Sequence, residues 1–369
     1  MQIETFELER TQSLWENDVE FNLTESGVHP YTLRELLNER ELDELCDLRL
    51  GYGWTNGEPE LREAIAELYP GATTDHVLVT NGSAEANFVA MWSLLEPGDE
   101  IALMLPNYMQ IWGIARSQGV EVRPFHLREE KRWAPDLDEL RSCVNERTKA
   151  IVLCNPNNPT GAVLSDEDAR AIVELAREND AWLYVDEVYR GVELDGRERP
   201  SFFGTYERVI VASGLSKALA HPGLRIGWLC GPPDVIAEAW SRTDYTTITT
   251  SVLSQRVVRS VLARREEILS RNRALLNQNV QVLVEWFAKR PELFRFVPPA
   301  AGGMAFVHYA LDVNSTELAT RLREDKSVFV VSGDCYGMDH YLRIGIGTES
   351  DYFTAGLEQI DAALREMGA

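Results

Sequence analysis

Between about Leu45 and Trp228, short apolar runs alternate with amphipathic stretches, and this alternation leaves the chain few architectures to adopt. "HVLVT" (76–80), "EIALML" (100–105), "AIVLC" (150–154), "AWLYVDE" (181–187), "RVIVAS" (208–213) and "IGWLC" (226–230) read as strands. Between most of them lie helical patterns such as "SAEANFVAMWSLL" and "SDEDARAIVELAREN". In the second, Ser165 is the N-cap and acidic residues fill the first turn. Apolar strands that alternate with helices indicate an α/β fold, a mainly parallel sheet sandwiched by helices. Ligands of such sheets bind beyond the carboxyl ends of the strands. "NGSAEA", "CNPNNPTG", "DEVYRG" and "SGLSKALAHPGLRIGW" each follow a strand and therefore fall along one edge.

The chain has 369 residues, more than the ~250–300 that usually share one core, so a second, smaller domain is expected. Residues from about Ser251 to Arg290 are strongly helical, and "KRPELFRFVPPAAGGM" breaks the pattern. Short strands ("MAFVHYA", "SVFVVS", "YLRIGI") and helices around 315–324 and 351–367 follow, an α+β arrangement. The expected division is 1–44 as N-terminal arm and part of the small domain, 45–285 as the large domain, and 286–369 as the small domain.

Composition removes several function classes. The formal net charge of −23 repels nucleic-acid phosphates. Its surplus of acid, with arginine preferred to lysine, fits either a GC-rich genome or a salt-adapted host. No apolar run approaches the ~18 residues of a membrane helix, and the start, "MQIETFELER", has no signal-peptide core. Cys46, Cys143, Cys154, Cys230 and Cys335 are scattered without a C-x-x-C pair, which suits reduced thiols in a cytoplasmic protein. The histidines form no ligand spacing, so no metal is expected.

Four stretches carry chemistry. Lys217 stands in an apolar setting while Lys131, Lys149, Lys289 and Lys326 have polar neighbours; it either snorkels to water or serves a site. "VTNGSAEA" combines a strand, a glycine turn and a helix start. The N–H groups of Gly82, Ser83 and Ala84 would face an anion with the helix dipole behind them, or Ser83 simply caps the helix. Asp186 ends an apolar strand, where a carboxylate is costly without a cationic partner or a donor. "NPNNPTG" is a turn that presents Asn157 and Asn158.

Taken in this order, from "YGWTNGEPELREAIAELY" to "YLRIGIG", the motifs resemble the fold-type I pyridoxal 5'-phosphate enzymes of the aspartate-aminotransferase-like class I/II family. The resemblance implies that Lys217 forms the Schiff base with the cofactor and that Asp186 pairs with the pyridine nitrogen. Tyr189 and Asn158 resemble the donors to the ring's phenolic oxygen. Arg225 resembles the phosphate-binding arginine that joins Gly82, Ser83 and Ala84. Tyr108 matches the aromatic residue that stacks on the ring, and Tyr52 the tyrosine that reaches the phosphate of the partner subunit. A homodimer with shared sites is therefore implied. Arg343 matches the arginine that grips the substrate carboxylate. The family's phosphate-binding hydroxyl three residues before the lysine is replaced by Gly214, with Ser213 or Ser216 as substitutes. "LTESGVHPYTLREL" (23–36) stands where many members have a glycine–proline pattern beside the substrate, which nominates Gly27 and His29.

The implied function is an aminotransferase that moves an α-amino group to a 2-oxo acid. "SGVHPYT" and "DYTTI" (244–248) also resemble a capreomycidine synthase-like branch, whose members use the cofactor for elimination and ring closure on an arginine-derived substrate. A non-catalytic pyridoxal phosphate sensor would carry a separate basic helix-turn-helix, and none is seen. Arg242 and Arg34 are the candidates for a second, dicarboxylate-binding arginine.

Overall fold

A computed structural model describes residues 2–368. Its central sheet has eight strands in the spatial order Val77–Thr80, Gly227–Cys230, Val209–Gly214, Trp182–Asp186, Thr148–Cys154, Glu100–Leu105, Glu121–Arg128 and Ala134–Pro135. Pairing from Val209–Gly214 through Glu121–Arg128 is parallel, whereas Gly227–Cys230 runs antiparallel to both its neighbours. The sheet is thus the mainly parallel, helix-covered sheet the sequence implies.

Successive side chains of a strand face opposite ways, and here each face has its own core. Ile151, Leu153, Leu183 and Val185 join one apolar cluster, and Ala150, Val152, Tyr184 and Ile210 the other. Helix Ser83–Leu94 packs on the second face, and helix Asp166–Glu178 starts where Ser165 Oγ accepts the Asp168 N–H at 3.0 Å. The sequence reading did not include strand Glu121–Arg128. Arg123, Pro124 and Arg128 interrupt its apolar pattern, and its residues are mostly only half-buried.

Strand Gly227–Cys230, second from one edge of the sheet, runs antiparallel, and this direction has a chemical consequence. Its amino end lies at the same edge as the carboxyl ends of the parallel strands, so the connection 215–226 crosses that edge carrying both Lys217 and Arg225. Only a bare backbone permits this: a Cβ on Gly227 would overlap the Gly82 carbonyl carbon and the Ser83 nitrogen.

Beyond the sheet, helices Val252–Ala263 and Arg265–Phe287 lead into a four-stranded antiparallel sheet, Phe294–Phe296, Met304–Tyr309, Tyr341–Gly345 and Val331–Ser332. The segment expected to be a plain break therefore includes the first of these strands. "SVFVVS" is divided: Val328–Phe329 pairs in parallel with Phe21–Asn22, and Val331–Ser332 pairs with Tyr341–Gly345. The early chain is thereby tied to the C-terminal sheet, and helix Glu7–Trp15 lies over the edge where the strands end.

Gly227→Ala is expected to cost about 2 kcal/mol of stability through overpacking and to loosen the turn at Gly82. Thermal unfolding of cofactor-free protein and cofactor titration measure the two effects, and an unchanged melting temperature would contradict the close approach.

Candidate active site

A cavity of about 280 Å³ opens at this edge, and Lys217, Asp186, Tyr189, Asn158, Tyr108, Ser83, Ala84, Ser216, Arg225 and Arg343 line it. A larger open groove of about 970 Å³, beside Arg170 and Arg199 on the outer side of helix Asp166–Glu178, contains none of them.

Asp186 ends its strand in the cavity, buried and without an ion-pair partner among the described residues. Oδ1 accepts the Val188 N–H at 3.1 Å, and Asn87 Nδ2 approaches Oδ2 at 3.5 Å. Burial raises the Asp186 carboxyl to about 6, which the Val188 N–H, Asn87 and Lys217 offset only in part. Asn87, absent from the sequence reading, accepts from Tyr184 at 2.6 Å and donates to Gln110 at 3.0 Å. A polar residue on the face of helix 83–94 that buries Ala86, Val89 and Ala90 against the sheet was its only signal.

The anion cup differs in detail from expectation. Gly82 N–H is already bonded to Thr80 O at 2.9 Å, so it is not free for a ligand. Ser83 is the first helical residue rather than the cap, and neither its N–H nor that of Ala84 has a hydrogen-bond partner among the described residues. Gly82, with φ of 79°, makes the turn, and a Cβ there would strike the Arg225 guanidinium. Ser216 Oγ lies 3.4 Å from Arg225 Nη1, whereas Ser213 Oγ points to Glu187 O. Ser216 is therefore the hydroxyl beside the cup.

The far wall comes from distant chain segments. Tyr189 donates to Ser26 Oγ at 2.9 Å, and Arg343, almost fully buried, donates to Asn158 Oδ1 at 3.0 Å and to Thr24 O at 2.5 Å. Of Asn157 and Asn158, only Asn158 faces the cavity; Asn157 is turned inward and donates to Pro106 O. Tyr108 donates to Glu9 Oε1 at 2.7 Å, and its ring meets Phe6 edge-on at 4.8 Å.

Lys217 Nζ sits 2.7 Å from Glu25 Oε1, a partner the sequence reading passed over. Burial would raise the Glu25 carboxyl, but the Lys217 charge and hydrogen bond, the Gly27 N–H and Arg343 hold it down to about 2. Gly27 lies against the lysine backbone, where a Cβ would come within 2.9 Å of Ser216 O. His29 is a correction. Its N–H bonds to Gly347 O at 2.7 Å, which turns the side chain outward to Glu349 at 3.6 Å and away from the Lys217 cavity. Tyr52, 87 % exposed, also lies outside the cavity of its own chain. Arg242 pairs with Glu238, and Arg34 is exposed on a short helix; neither lines the cavity.

Residues 25–360 match the family model described as aminotransferase class I and II. The chain belongs to that family. Capreomycidine synthase of Streptomyces vinaceus is 31% identical over 350 residues, covering 93% of this chain and 89% of the relative. Among solved structures, a PLP-dependent aminotransferase from Streptococcus suis 89-1591 superposes with a TM-score of 0.94 at 33% identity, covering 99% of each chain. The PLP-dependent cyclase OrfR does so with a TM-score of 0.92 at 26% identity, covering 100% of this chain and 98% of the other. The cofactor of this family member is pyridoxal 5'-phosphate. The cavity fits it: a buried, unpaired carboxylate suits the ring nitrogen, and free helix N–H groups beside an arginine suit the phosphate.

A raised carboxyl means that folded Asp186 holds its proton more tightly than unfolded Asp186. Its stabilising contribution is thus complete below ~pH 4 and is lost as the pH rises through about 6. Asp186→Asn should stabilise cofactor-free protein near neutral pH by roughly 2–3 kcal/mol, with the gain vanishing towards pH 4, while cofactor affinity falls. Melting curves across pH and a cofactor titration test the opposed signs.

Proposed function

We propose that the protein is a PLP-dependent aminotransferase that moves the α-amino group of an amino acid to a 2-oxo acid, as a cytoplasmic homodimer with shared sites. The observation that carries this reading is one cavity holding Lys217, Asp186, Arg225 and Arg343 around unpaired Ser83 and Ala84 N–H groups. Five free cysteines accord with a reducing compartment. Exposed Leu50, Tyr52 and Trp54 accord with cover by a second subunit.

Each residue has a physical task. Ser83 and Ala84 N–H, Arg225 and Ser216 would hold the phosphate, joined by Tyr52 of the partner subunit, which is itself inferred from the family. Asp186 would keep the ring nitrogen protonated, and Tyr189 and Asn158 would donate to the phenolic oxygen. Bound in this way, the cofactor supplies an electron sink for the bond that breaks at the substrate Cα. Lys217 would be its covalent attachment, and as a free, neutral amine it would take the proton from the substrate Cα. Arg343 exchanges Asn158 Oδ1 and Thr24 O for the substrate carboxylate, which fixes the Cα–H bond towards Lys217.

A second reading, cyclisation or elimination, is favoured by the similarity to capreomycidine synthase and to the cyclase OrfR. The residues above serve both, because they hold the cofactor and the α-carbon rather than the leaving group. Dependence on a keto-acid acceptor discriminates: sustained turnover without one would refute the aminotransferase reading.

Lys217→Ala should abolish turnover, and borohydride should fix a pyridoxyl mass on Lys217 of the wild type. An adduct on another lysine would overturn the assignment. Lys217→Ala and Tyr52→Ala chains, each inactive alone, should regain activity when mixed, since one site of the mixed dimer keeps both residues. A fully active monomer would rule this out.

A further inference from the structure

The charges around the cavity do not balance once the cofactor and the α-carboxylate are provided for. Lys217, Arg225 and Arg343 face Asp186, Glu9, Glu16 and Glu25. On the reading above, Asp186 serves the ring nitrogen, Arg225 the phosphate, Arg343 the substrate carboxylate and Lys217 the cofactor. Glu9, Glu16 and Glu25 are left, and none has a cation assigned to it.

Two elements bring these carboxylates together. Helix Glu7–Trp15 is fastened over the cavity by Tyr108 to Glu9, by Gln12 Nε2 to Thr24 Oγ1 at 2.9 Å, and by Arg323 stacked 4.0 Å from the Trp15 ring. It carries Glu9 on its cavity side, and Glu16 caps its carboxyl end. Glu25 enters from the following loop. Neither Glu9 nor Glu16 forms an ion pair among the described residues, and burial together with Glu25 and Glu9 raises the Glu16 carboxyl. Glu25 keeps half of its side-chain surface open (49 %) because it faces the cavity. Independently of the acids, Arg343 is 1% exposed, lines the same cavity and has an Nε without a hydrogen-bond partner, as a site awaiting a carboxylate would.

The proton chemistry sharpens the imbalance. A base that removes the Cα proton must be a neutral amine, so Lys217 cannot neutralise Glu25 at the moment of reaction. A half-buried carboxylate that loses its counter-charge favours any cation that can reach it.

We propose that Glu25, supported by Glu9 and Glu16, forms the side-chain wall of the substrate site and selects amino acids whose side chain ends in an ammonium or guanidinium over those ending in a carboxylate. The inference rests on the cavity being the amino-acid site of a PLP enzyme, and it holds for either reaction that follows. It agrees with the position of Arg242 and Arg34 outside the cavity: among the described residues the lining arginines are Arg225 and Arg343, both already assigned, and none is left for a side-chain carboxylate.

The test uses holoenzyme and reads amino-acid binding from the change in cofactor absorbance, so it needs no knowledge of the product. Arginine is compared with citrulline, its neutral isostere, lysine with norleucine, and both pairs with aspartate and glutamate. Wild type should bind the cationic member of each pair at least about tenfold more tightly, and the acidic amino acids most weakly. Glu25→Gln should erase most of the arginine-to-citrulline ratio. Glu16→Gln, which neutralises a carboxylate that has no side-chain hydrogen bond among the described residues, should reduce that ratio in the same direction if Glu25→Gln folds poorly. A ratio near one in wild type, equal or tighter binding of aspartate, or ratios unmoved by both variants would overturn the charge selection while leaving the PLP reading intact. If no amino acid perturbs the cofactor spectrum, the proposal and that reading both fail.

Discussion

Asp186 is the constraint around which the site is arranged. A carboxylate at the end of an apolar strand, raised to about 6 by burial, is stable there only with donors that favour its charge. The protein supplies one backbone N–H and the edge of Asn87, and no arginine or lysine in direct contact. Asn87 in turn is held by Tyr184 and Gln110, and Gln110 reaches back to the Ala84 carbonyl at 2.9 Å. The position of the carboxylate is thus joined, through a short chain of side chains, to the helix whose N-terminus forms the anion cup. On the proposed function, one network addresses both ends of the cofactor, on strands whose relative placement is fixed by two apolar cores.

Most of this half of the site was legible in the sequence, for a physical reason. Asp186, Lys217, Arg225, Ser83 and Ala84 lie in short loops that directly follow or precede strands, so local pattern places them at one edge. Six of the eight strands were legible from apolar runs; Glu121–Arg128 is masked by its charged and proline residues, and Ala134–Pro135 is too short to leave a pattern. What local pattern could not give was the direction of the last strand. That Gly227–Cys230 runs antiparallel depends on the contact of Gly227 with Gly82, more than a hundred residues away.

The substrate half was much less legible. Glu25 meets Lys217 across a separation of 192 residues, and Arg343 meets Thr24 across 319. No window of sequence contains such a pair. His29 shows the same limit from the other side: local pattern nominates Gly27 and His29 in this loop, but His29 N–H is tied to the Gly347 carbonyl, and it is Glu25 and Ser26 that line the Lys217 cavity. Glu9 and Glu16 read as ordinary surface acids of an acidic chain until helix Glu7–Trp15 is seen to cover the cavity.

The bonds that join the two halves have a common property. Lys217 to Glu25, Tyr189 to Ser26, and Arg343 to Asn158 each link a strand-edge residue to the early loop or the C-terminal sheet. On the proposed function, each also engages a group that the bound state would need for something else: the amine for the cofactor, the phenol and the amide for the ring, the guanidinium for the substrate carboxylate. Loading the site must therefore exchange these cross-links for contacts to the ligands rather than add contacts to an already finished frame. The stability gained on binding is then the difference between two sets of hydrogen bonds of similar kind, and so is small for any single exchange. Specificity has to come from the charge that no exchange neutralises, and in this cavity that charge is carried by the acidic wall.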